Sequence, residues 1–323
     1  MLLLTGDDVQ RLLPMNEAID VIEEAFITYA NQDFVMPERT FSTVKDEDNL
    51  LIMPCFVDDC IGLKVVASFP SNHARNSPVT QGLVFLSDIE TGDPTAIMNG
   101  TTLTAIKTAA VSGVAMRLFK SDAESVGLIG TGLQGLYQLV AAVSATSVKT
   151  IYLFNRSSEK IPGFIEDFRE LSSSRVEIIP VFDMQELIAK SEVIITATTS
   201  LTPVLPNVGE LYDHKLIVGV GSYKSNMREL PEELFRRAEY YYIDSEQGKV
   251  ECGDIIDPIA NQWISENQVI LLSDLLSGKR KIKQDQNRPV VFKSVSMALF
   301  DAAVGNYVYK QAKKNGIGKK FEF

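Results

Sequence analysis

The stretch SVGLIGTGLQG, residues 125–135, decides the fold of this chain. An apolar run that predicts a β-strand leads directly into glycines spaced as GxGxxG, and a helical pattern follows. The first glycine permits a tight turn, the second lets the backbone approach a pyrophosphate, and the third lets the helix pack on the strand. An ordinary glycine turn is the alternative, but the strand-turn-helix context favours a dinucleotide site, with phosphates at the helix N-terminus. The predicted cofactor-binding residues of this turn are Gly130, Thr131, Gly132, Leu133, Gln134 and Gly135.

The chain after this turn alternates strands and helices. Further strands are predicted at KTIYLF, VEIIPV, VIITAT, KLIVGVG and YYYID, with helical segments such as MQELIAK and PEELFRRA between them. This alternation is typical of a doubly wound parallel sheet. Residues 120–289 are therefore predicted to form a Rossmann-type dinucleotide-binding domain.

The residues before 120 follow a different pattern. MNEAIDVIEEAFITY, residues 15–29, has apolar side chains at helical spacing. Short β-branched and aromatic runs separated by turn residues come next, and they predict a β-meander. Residues 290–314 are predicted to form a helix that packs back on this first domain. The predicted fold class is α/β: a Rossmann-type doubly wound parallel sheet plus a smaller α+β domain of residues 1–119 and 290–323.

The composition limits the partners of the protein. Its 31 basic and 42 acidic residues give a net charge of -11, which repels polyphosphate and anionic lipid. We therefore expect no nucleic-acid and no membrane partner. The sequence has neither a bilayer-length apolar run nor a signal-peptide pattern, which predicts a cytoplasmic protein. Three cysteines and two distant histidines suggest neither a disulfide framework nor a metal site, so proton transfer falls to lysine, aspartate or glutamate.

The second predicted strand of the dinucleotide domain, TIYLF, ends where an NAD site places an acid on the ribose 2′-hydroxyl. This chain has Asn155, Arg156 and Ser157 there instead. An arginine beside hydroxyl groups suits a 2′-phosphate, which favours NADP(H). NAD(H) stays possible if Arg156 is simply solvated. The predicted cofactor-binding residues outside the glycine turn are Asn155, Arg156, Ser157, Thr198, Gly221 and Ser222.

Three cations of the first domain stand out: Arg39 in MPERT, Lys64 in IGLKVVASF and Lys107 in LTAIKTAA. For Arg39 by itself, a surface role is the simpler interpretation. Lys64 lies inside an apolar strand, where its ammonium group must either reach solvent or be paired. Lys107 is predicted in the first turn of a helix capped by Thr104, where a cation opposes the helix dipole. A bound anion would explain that position better than local stability does.

A family resemblance covers nearly the whole chain. It is carried by PERT, LLIMP, GLKVV, SDIETGDPTAIMNG, LTAIKTAAVSG, LIGTGLQG, FNRS, VGVGSYKSNMREL and ECGDI. This ordered set resembles the ornithine cyclodeaminase and mu-crystallin family, which includes cyclodeaminases, alanine dehydrogenases, ketimine reductases and related imino-acid reductases. The resemblance implies that the smaller domain binds substrate and forms a homodimer. It also implies that Arg39, Lys64 and Lys107 bind the substrate carboxylate, and that Lys64 is the catalytic residue for proton transfer.

Two departures from the family pattern narrow the function. Lys107 stands where most relatives have arginine, so the charge is kept but the bidentate fork is lost. Tyr223 in GVGSYKSNMREL stands about where ornithine cyclodeaminases have an aspartate, and the next acid is Glu229. We therefore predict an NAD(P)-dependent oxidoreductase of a small α-imino or α-amino acid, of the ketimine or pyrroline-2-carboxylate reductase type. The alternatives are ornithine cyclodeaminase, an amino-acid-conjugate or alanine dehydrogenase, and a non-catalytic NADP(H)-binding protein.

Overall fold

A computed structural model describes residues 1–45, 48–75 and 77–322. The chain forms two compact units, one of Met1–Lys107 with Met297–Phe323 and one of Thr108–Ser296. The first part of the chain contributes seven strands, β1 (Leu2–Leu4), β2 (Phe34–Val35), β3 (Thr40–Lys45), β4 (Asp48–Val57), β5 (Cys60–Ser68), β6 (Thr80–Asp88) and β7 (Pro94–Asn99). Its helices are α1 (Gly6–Leu12), α2 (Met15–Asn31) and α3 (Gly100–Lys120).

The second unit contains a sheet of eight strands within its described residues. These are β8 (Ser125–Ile129), β9 (Thr150–Phe154), β10 (Glu177–Pro180), β11 (Val193–Thr196), β12 (Leu216–Gly219), β13 (Tyr241–Ile243), β14 (Val269–Leu271) and β15 (Val290–Lys293). They lie in the order β10-β9-β8-β11-β12-β15-β13-β14, and neighbours run parallel. The helices are α4 (Leu133–Ala145), α5 (Ile161–Leu171), α6 (Met184–Lys190), α7 (Glu232–Arg237), α8 (Gly248–Glu251), α9 (Gly253–Ala260) and α10 (Leu272–Leu276).

This topology confirms the predicted doubly wound parallel sheet. The chain runs from β8 outward through β9 to β10, and then returns to the other side of β8 as β11. The strand order therefore reverses at β8 and β11, and ligands of such sheets bind beyond the carboxyl ends of the strands at that point.

The chain returns to the first unit through α11 (Ala298–Asn315) and β16 (Lys319–Lys320). The first unit's sheet has the order β16-β1-β7-β6-β5-β4-β2, with β3 also paired to β4. From β3 to β6 it is the antiparallel meander that the sequence predicts, and β7 continues it as a further antiparallel strand. Buried and half-exposed residues alternate along β5, and α11 packs on the buried side: a Cβ on Gly62 would lie 2.6 Å from the Ala302 side chain.

Two predicted helix starts are wrong. Residues 290–293 form strand β15 between β12 and β13, because their apolar and β-branched side chains are buried within the parallel sheet, and the helix begins only at Ala298. Helix α3 begins at Gly100, where the Asn99 side chain accepts a hydrogen bond from the Thr102 amide at 2.9 Å. Lys107 therefore lies beyond the first turn. The Thr104 hydroxyl, predicted to be the cap, is buried without a hydrogen-bond partner among the described residues.

Candidate functional site

The glycine turn has the geometry that a dinucleotide site needs. Gly130 has a φ of 107°, and a Cβ there would lie 2.5 Å from the Ala197 carbonyl oxygen. A Cβ on Gly135 would lie 2.2 Å from the Gly130 carbonyl oxygen, so this glycine lets α4 start directly against the turn. Gly132 caps α4 and faces open space. Thr131, Leu133 and Gln134 are at least partly exposed at the same helix end. The residues present fit a bound pyrophosphate.

The loop after β9 is tied to the glycine turn by Asn155. Its side-chain oxygen accepts a hydrogen bond from the Thr131 amide at 3.4 Å, and its side-chain nitrogen donates to the Ser157 carbonyl at 2.8 Å. The side chain of Arg156, between them, is exposed. Asn155 thus fixes the loop, while Arg156 is available to a ligand.

A buried glutamate, whose role the sequence did not reveal, joins the carboxyl ends of β11 and β12. Glu229 is fully buried. Its Oε1 accepts hydrogen bonds from the Thr198 amide at 2.7 Å and from the Thr198 hydroxyl at 2.8 Å. Its Oε2 accepts from the amides of Gly221 and Ser222 and from the Thr196 hydroxyl, at 2.7, 3.2 and 3.0 Å. The predicted cofactor residues Thr198, Gly221 and Ser222 therefore share one carboxylate. Ser222 itself is fully buried, and its hydroxyl donates to the Met227 carbonyl at 2.8 Å.

A second buried acid holds Glu229 in place. The Asp254 carboxylate accepts hydrogen bonds from the amides of Glu229 and Leu230 at 3.0 and 3.1 Å. Burial raises the pKa of Asp254 to about 6, although the Lys293 ammonium, 4.0 Å away, acts in the opposite direction. Asp254 therefore stabilises the backbone at Glu229 and Leu230 by accepting their amide hydrogen bonds.

In the first unit, two of the three predicted cations meet on one carboxylate. The Lys64 ammonium lies 3.2 Å from Asp301 Oδ1, and the Lys107 ammonium lies 3.0 Å from Asp301 Oδ2. The side chains of Lys64, Asp301 and Lys107 are 6%, 3% and 0% exposed. Sequence reasoning missed Asp301, although a single acid in the apolar run SMALFDAAVG is a signal of a paired buried charge.

Arg39 lies further along the same sheet. It is partly exposed and precedes Thr40, which pairs with Ile52 of β4, while the next residue of β4, Met53, pairs with Lys64. One strand therefore separates the backbones of Arg39 and Lys64, a distance of about 10 Å.

A glycine turn of this form at the switch point of a parallel sheet defines a dinucleotide-binding protein. The first unit, in which the buried lysines Lys64 and Lys107 pair with Asp301, adds groups that can bind an anion and donate a proton. The chain belongs to the ornithine cyclodeaminase/mu-crystallin family, whose model matches residues 1–316.

Relatives and solved structures agree over the whole length. The chain is 30% identical to a Δ1-pyrroline-2-carboxylate reductase of Bacillus cereus, with 100% of both chains covered. It is 31% identical to the Thermococcus litoralis Δ1-pyrroline-2-carboxylate reductase in complex with NADH and L-proline, with a TM-score of 0.91 and 99% and 100% of the chains covered. An archaeal alanine dehydrogenase dimer with bound NAD is 26% identical, with a TM-score of 0.90 and 100% and 99% covered.

These similarities confirm the predicted fold, family and enzyme class, an NAD(P)-dependent oxidoreductase of imino or amino acids. The cofactor prediction is confirmed as far as a nicotinamide dinucleotide. Within the described part of the chain, no helix is both long and apolar enough to cross a bilayer.

Proposed function

We propose that the protein is an NAD(P)H-dependent reductase of a cyclic α-imino acid, Δ1-pyrroline-2-carboxylate, and that its product is proline. The observation that carries the proposal is the buried Lys64 ammonium on Asp301, in a chain whose full-length relatives include reductases of this substrate. Reduction of the C=N bond adds one hydride to carbon and one proton to nitrogen. A bound nicotinamide dinucleotide supplies the hydride.

The residues of the first unit supply the remaining chemistry. Lys64 donates its proton to the imine nitrogen, which leaves a neutral secondary amine and a neutral lysine that regains its proton from solvent. Lys64 and Lys107 carry two positive charges against the one negative charge of Asp301. The positive charges of Lys64, Lys107 and Arg39 attract the substrate carboxylate.

The hydrogen bonds and the burial of Glu229 favour a reductase over an ornithine cyclodeaminase. An acid that holds or deprotonates the substrate amine needs a free oxygen. Both oxygens of Glu229 accept hydrogen bonds from the loops after β11 and β12, and the residue is fully buried. Tyr223, about where cyclodeaminases have their aspartate, has no carboxylate and is 40% exposed.

NADP(H) is proposed as the preferred cofactor, with NAD(H) also accepted. Asn155 fixes the loop after β9, and the Arg156 guanidinium next to it is exposed. A guanidinium at this place can form charge-assisted hydrogen bonds with a 2′-phosphate.

A homodimer through the outer face of the first sheet is part of the proposal. The cross-strand row Pro54, Leu63, Phe85 and Ile97 is apolar and half-exposed, and Leu83 beside it is 55% exposed. An apolar sheet face of this kind is stabilised when a second copy covers it. The predicted cytoplasmic location belongs to the same proposal, and the free buried thiols of the three cysteines fit a reducing compartment.

The proposal is tested by following NADPH or NADH absorbance with the purified protein and Δ1-pyrroline-2-carboxylate. We expect loss of cofactor absorbance and formation of one proline per cofactor. Lys64→Met should lower turnover by about 100-fold or more while cofactor binding is unchanged. Lys314→Met, at an exposed position near the end of α11, is the matched control and should behave as wild type.

Three results would contradict the proposal. Proline and ammonia formed from ornithine without net absorbance change would identify a cyclodeaminase. Tight cofactor binding without turnover of any imino or keto acid would identify a carrier. Unaltered turnover in Lys64→Met would remove Lys64 from the mechanism.

A further inference from the structure

The buried residues Lys64, Asp301 and Lys107 form an ion-pair triad, and their side chains become less exposed from Lys64 to Lys107. The Lys64 side chain is the most exposed of the three, at 6%, and Lys107 is the least, at 0%. Each lysine uses a different oxygen of Asp301, with N–O distances of 3.2 and 3.0 Å. The three residues come from β5, α11 and α3, so three separate elements of the first unit contribute to the ion-pair triad.

We propose that Lys107 does not contact the substrate carboxylate, but acts through Asp301 as a positioning residue for Lys64. Asp301 is then the central positioning residue, and Lys64 is the member that meets the substrate. This inference rests on the proposed function, in which Lys64 donates the proton. It replaces the role that the family resemblance implies for Lys107.

Geometry and charge both support this arrangement. A lysine side chain has several rotatable bonds, and holding its ammonium in one place costs conformational entropy unless a fixed partner restrains it. Asp301 Oδ1 provides that partner for Lys64. Lys107 occupies Oδ2, so it fixes the orientation of the carboxylate and balances its charge at a site that water does not reach.

The arrangement gives a physical reason for lysine rather than arginine at position 107. An arginine fork tends to engage both oxygens of one carboxylate, whereas an ammonium is a point charge that can take one. Lys107 leaves Oδ1 to Lys64. A Lys107→Arg variant would compete with Lys64 for Asp301. If residue 107 contacted the substrate carboxylate directly, the fork would instead preserve or strengthen substrate binding.

The summed charge of the ion-pair triad gives a double-mutant test. In the wild type, the charges of Lys64, Asp301 and Lys107 sum to +1. Asp301→Asn leaves +2, Lys107→Met leaves 0, and the double variant returns to +1. Lys64 pairs with Asp301 of α11, which also contacts Lys107 of α3 and lies near the Cys55 thiol of β4. Burial raises the pKa of Cys55 to about 12, so it stays neutral in an assay near pH 7 to 9.

The experiment measures kcat, KM and the pH profile of kcat/KM for the four proteins of this cycle, with Δ1-pyrroline-2-carboxylate. We expect Asp301→Asn to lower kcat by about tenfold or more and to move the alkaline limb of the profile to lower pH, because Lys64 loses its counter-ion. Adding Lys107→Met should return the limb toward wild type and recover part of kcat. Lys107→Arg should lower kcat with little change in KM.

Two outcomes would overturn the inference. One is an additive cycle, in which the double variant is worse than either single variant. The other is a Lys107→Met protein with a KM at least about tenfold higher, normal kcat, and wild-type behaviour in Lys107→Arg, which is the behaviour of a direct carboxylate ligand.

A readout without turnover separates this inference from the proposed function. If the wild type fails to reduce the imino acid, the proposed function fails. The ion-pair triad is then tested by NMR titration of full-length protein labelled with ¹⁵N at the lysine side-chain nitrogens. The Lys64 signal is identified by its loss in Lys64→Met. We expect a lower titration midpoint for Lys64 in Asp301→Asn than in wild type, and recovery in the double variant. Equal midpoints in all three proteins would refute the inference that Lys107 acts on Lys64 through Asp301.

Discussion

The substitution Glu229→Gln tests the buried carboxylate that joins the loops after β11 and β12. The carboxylate accepts hydrogen bonds on both oxygens, from Thr198 at Oε1 and from Thr196, Gly221 and Ser222 at Oε2. Glutamine has one acceptor oxygen and one NH2 group. Its better orientation keeps the three donors at Oε2 and turns the NH2 group toward Thr198.

The magnitude follows from those contacts. The Thr198 hydroxyl can rotate and accept, but the Thr198 amide cannot, so one buried N–H loses its partner at a cost of about 1–3 kcal/mol. The remaining hydrogen bonds lose their charge assistance, which weakens each of them by roughly half. Relief of the repulsion between Glu229 and Asp254 offsets part of this. We expect a loss of about 3 kcal/mol, or about 6 to 12 °C in the Tm of a unit of this size.

Calorimetry of the full chain measures this shift, and cofactor titration by fluorescence measures the affinity. Cofactor binding should weaken as well, because Thr198 and Gly221 lose their shared support. Glu170→Gln, at an exposed position of α5, is the matched control and should change Tm by about 1 °C or less. A Glu229→Gln protein that melts within about 2 °C of wild type and binds cofactor normally would refute the assigned role of the carboxylate.

Three further perturbations address the cofactor, the dimer and the buried acid. Arg156→Gln should raise the KM for NADPH by about 10- to 100-fold and leave that for NADH nearly unchanged, because one charge-assisted contact with the 2′-phosphate is lost; equal effects on both cofactors would contradict the NADP(H) preference. Leu83→Glu should convert the dimer to a monomer in light scattering, whereas Ile89→Glu, in the turn after β6, should not. Asp254 has a folded-state pKa raised to about 6 from the ordinary 3.8, so the folded protein takes up this proton before the unfolded chain does. The free energy of unfolding of wild type, relative to Asp254→Asn, should therefore rise by up to about 3 kcal/mol between pH 7 and 4, and a falling or flat difference in urea unfolding would contradict the shift.

The sequence predicts the architecture well where a local pattern has one interpretation. The glycine turn and the strands around it follow from their spacing, and so does α2. The strand β15 was missed because VVFK is short and apolar, and a pattern of that length suits a strand or a buried helix equally. The start of α3 was misplaced because Asn99, and not Thr104, provides the capping side chain.

The site was predictable only in part, for a different reason. Lys64 and Lys107 are visible as cations in apolar surroundings, but their shared partner lies 237 residues from Lys64 in the chain. Asp301 is unusual in its helix, yet sequence spacing cannot tell which cation it meets. Glu229 is similar: its position in MREL is evident, but the loops that it joins meet only in the folded sheet.

The most direct test of the central claim follows one labelled hydrogen. Wild-type protein is incubated with NAD(P)H deuterated at the transferred position of the nicotinamide C4 and with Δ1-pyrroline-2-carboxylate, and the products are analysed by mass spectrometry. The account predicts proline that carries one deuterium at Cα, together with one oxidised cofactor per proline. Unlabelled proline, or a cofactor that keeps its deuterium while the imino acid is unchanged, would contradict it.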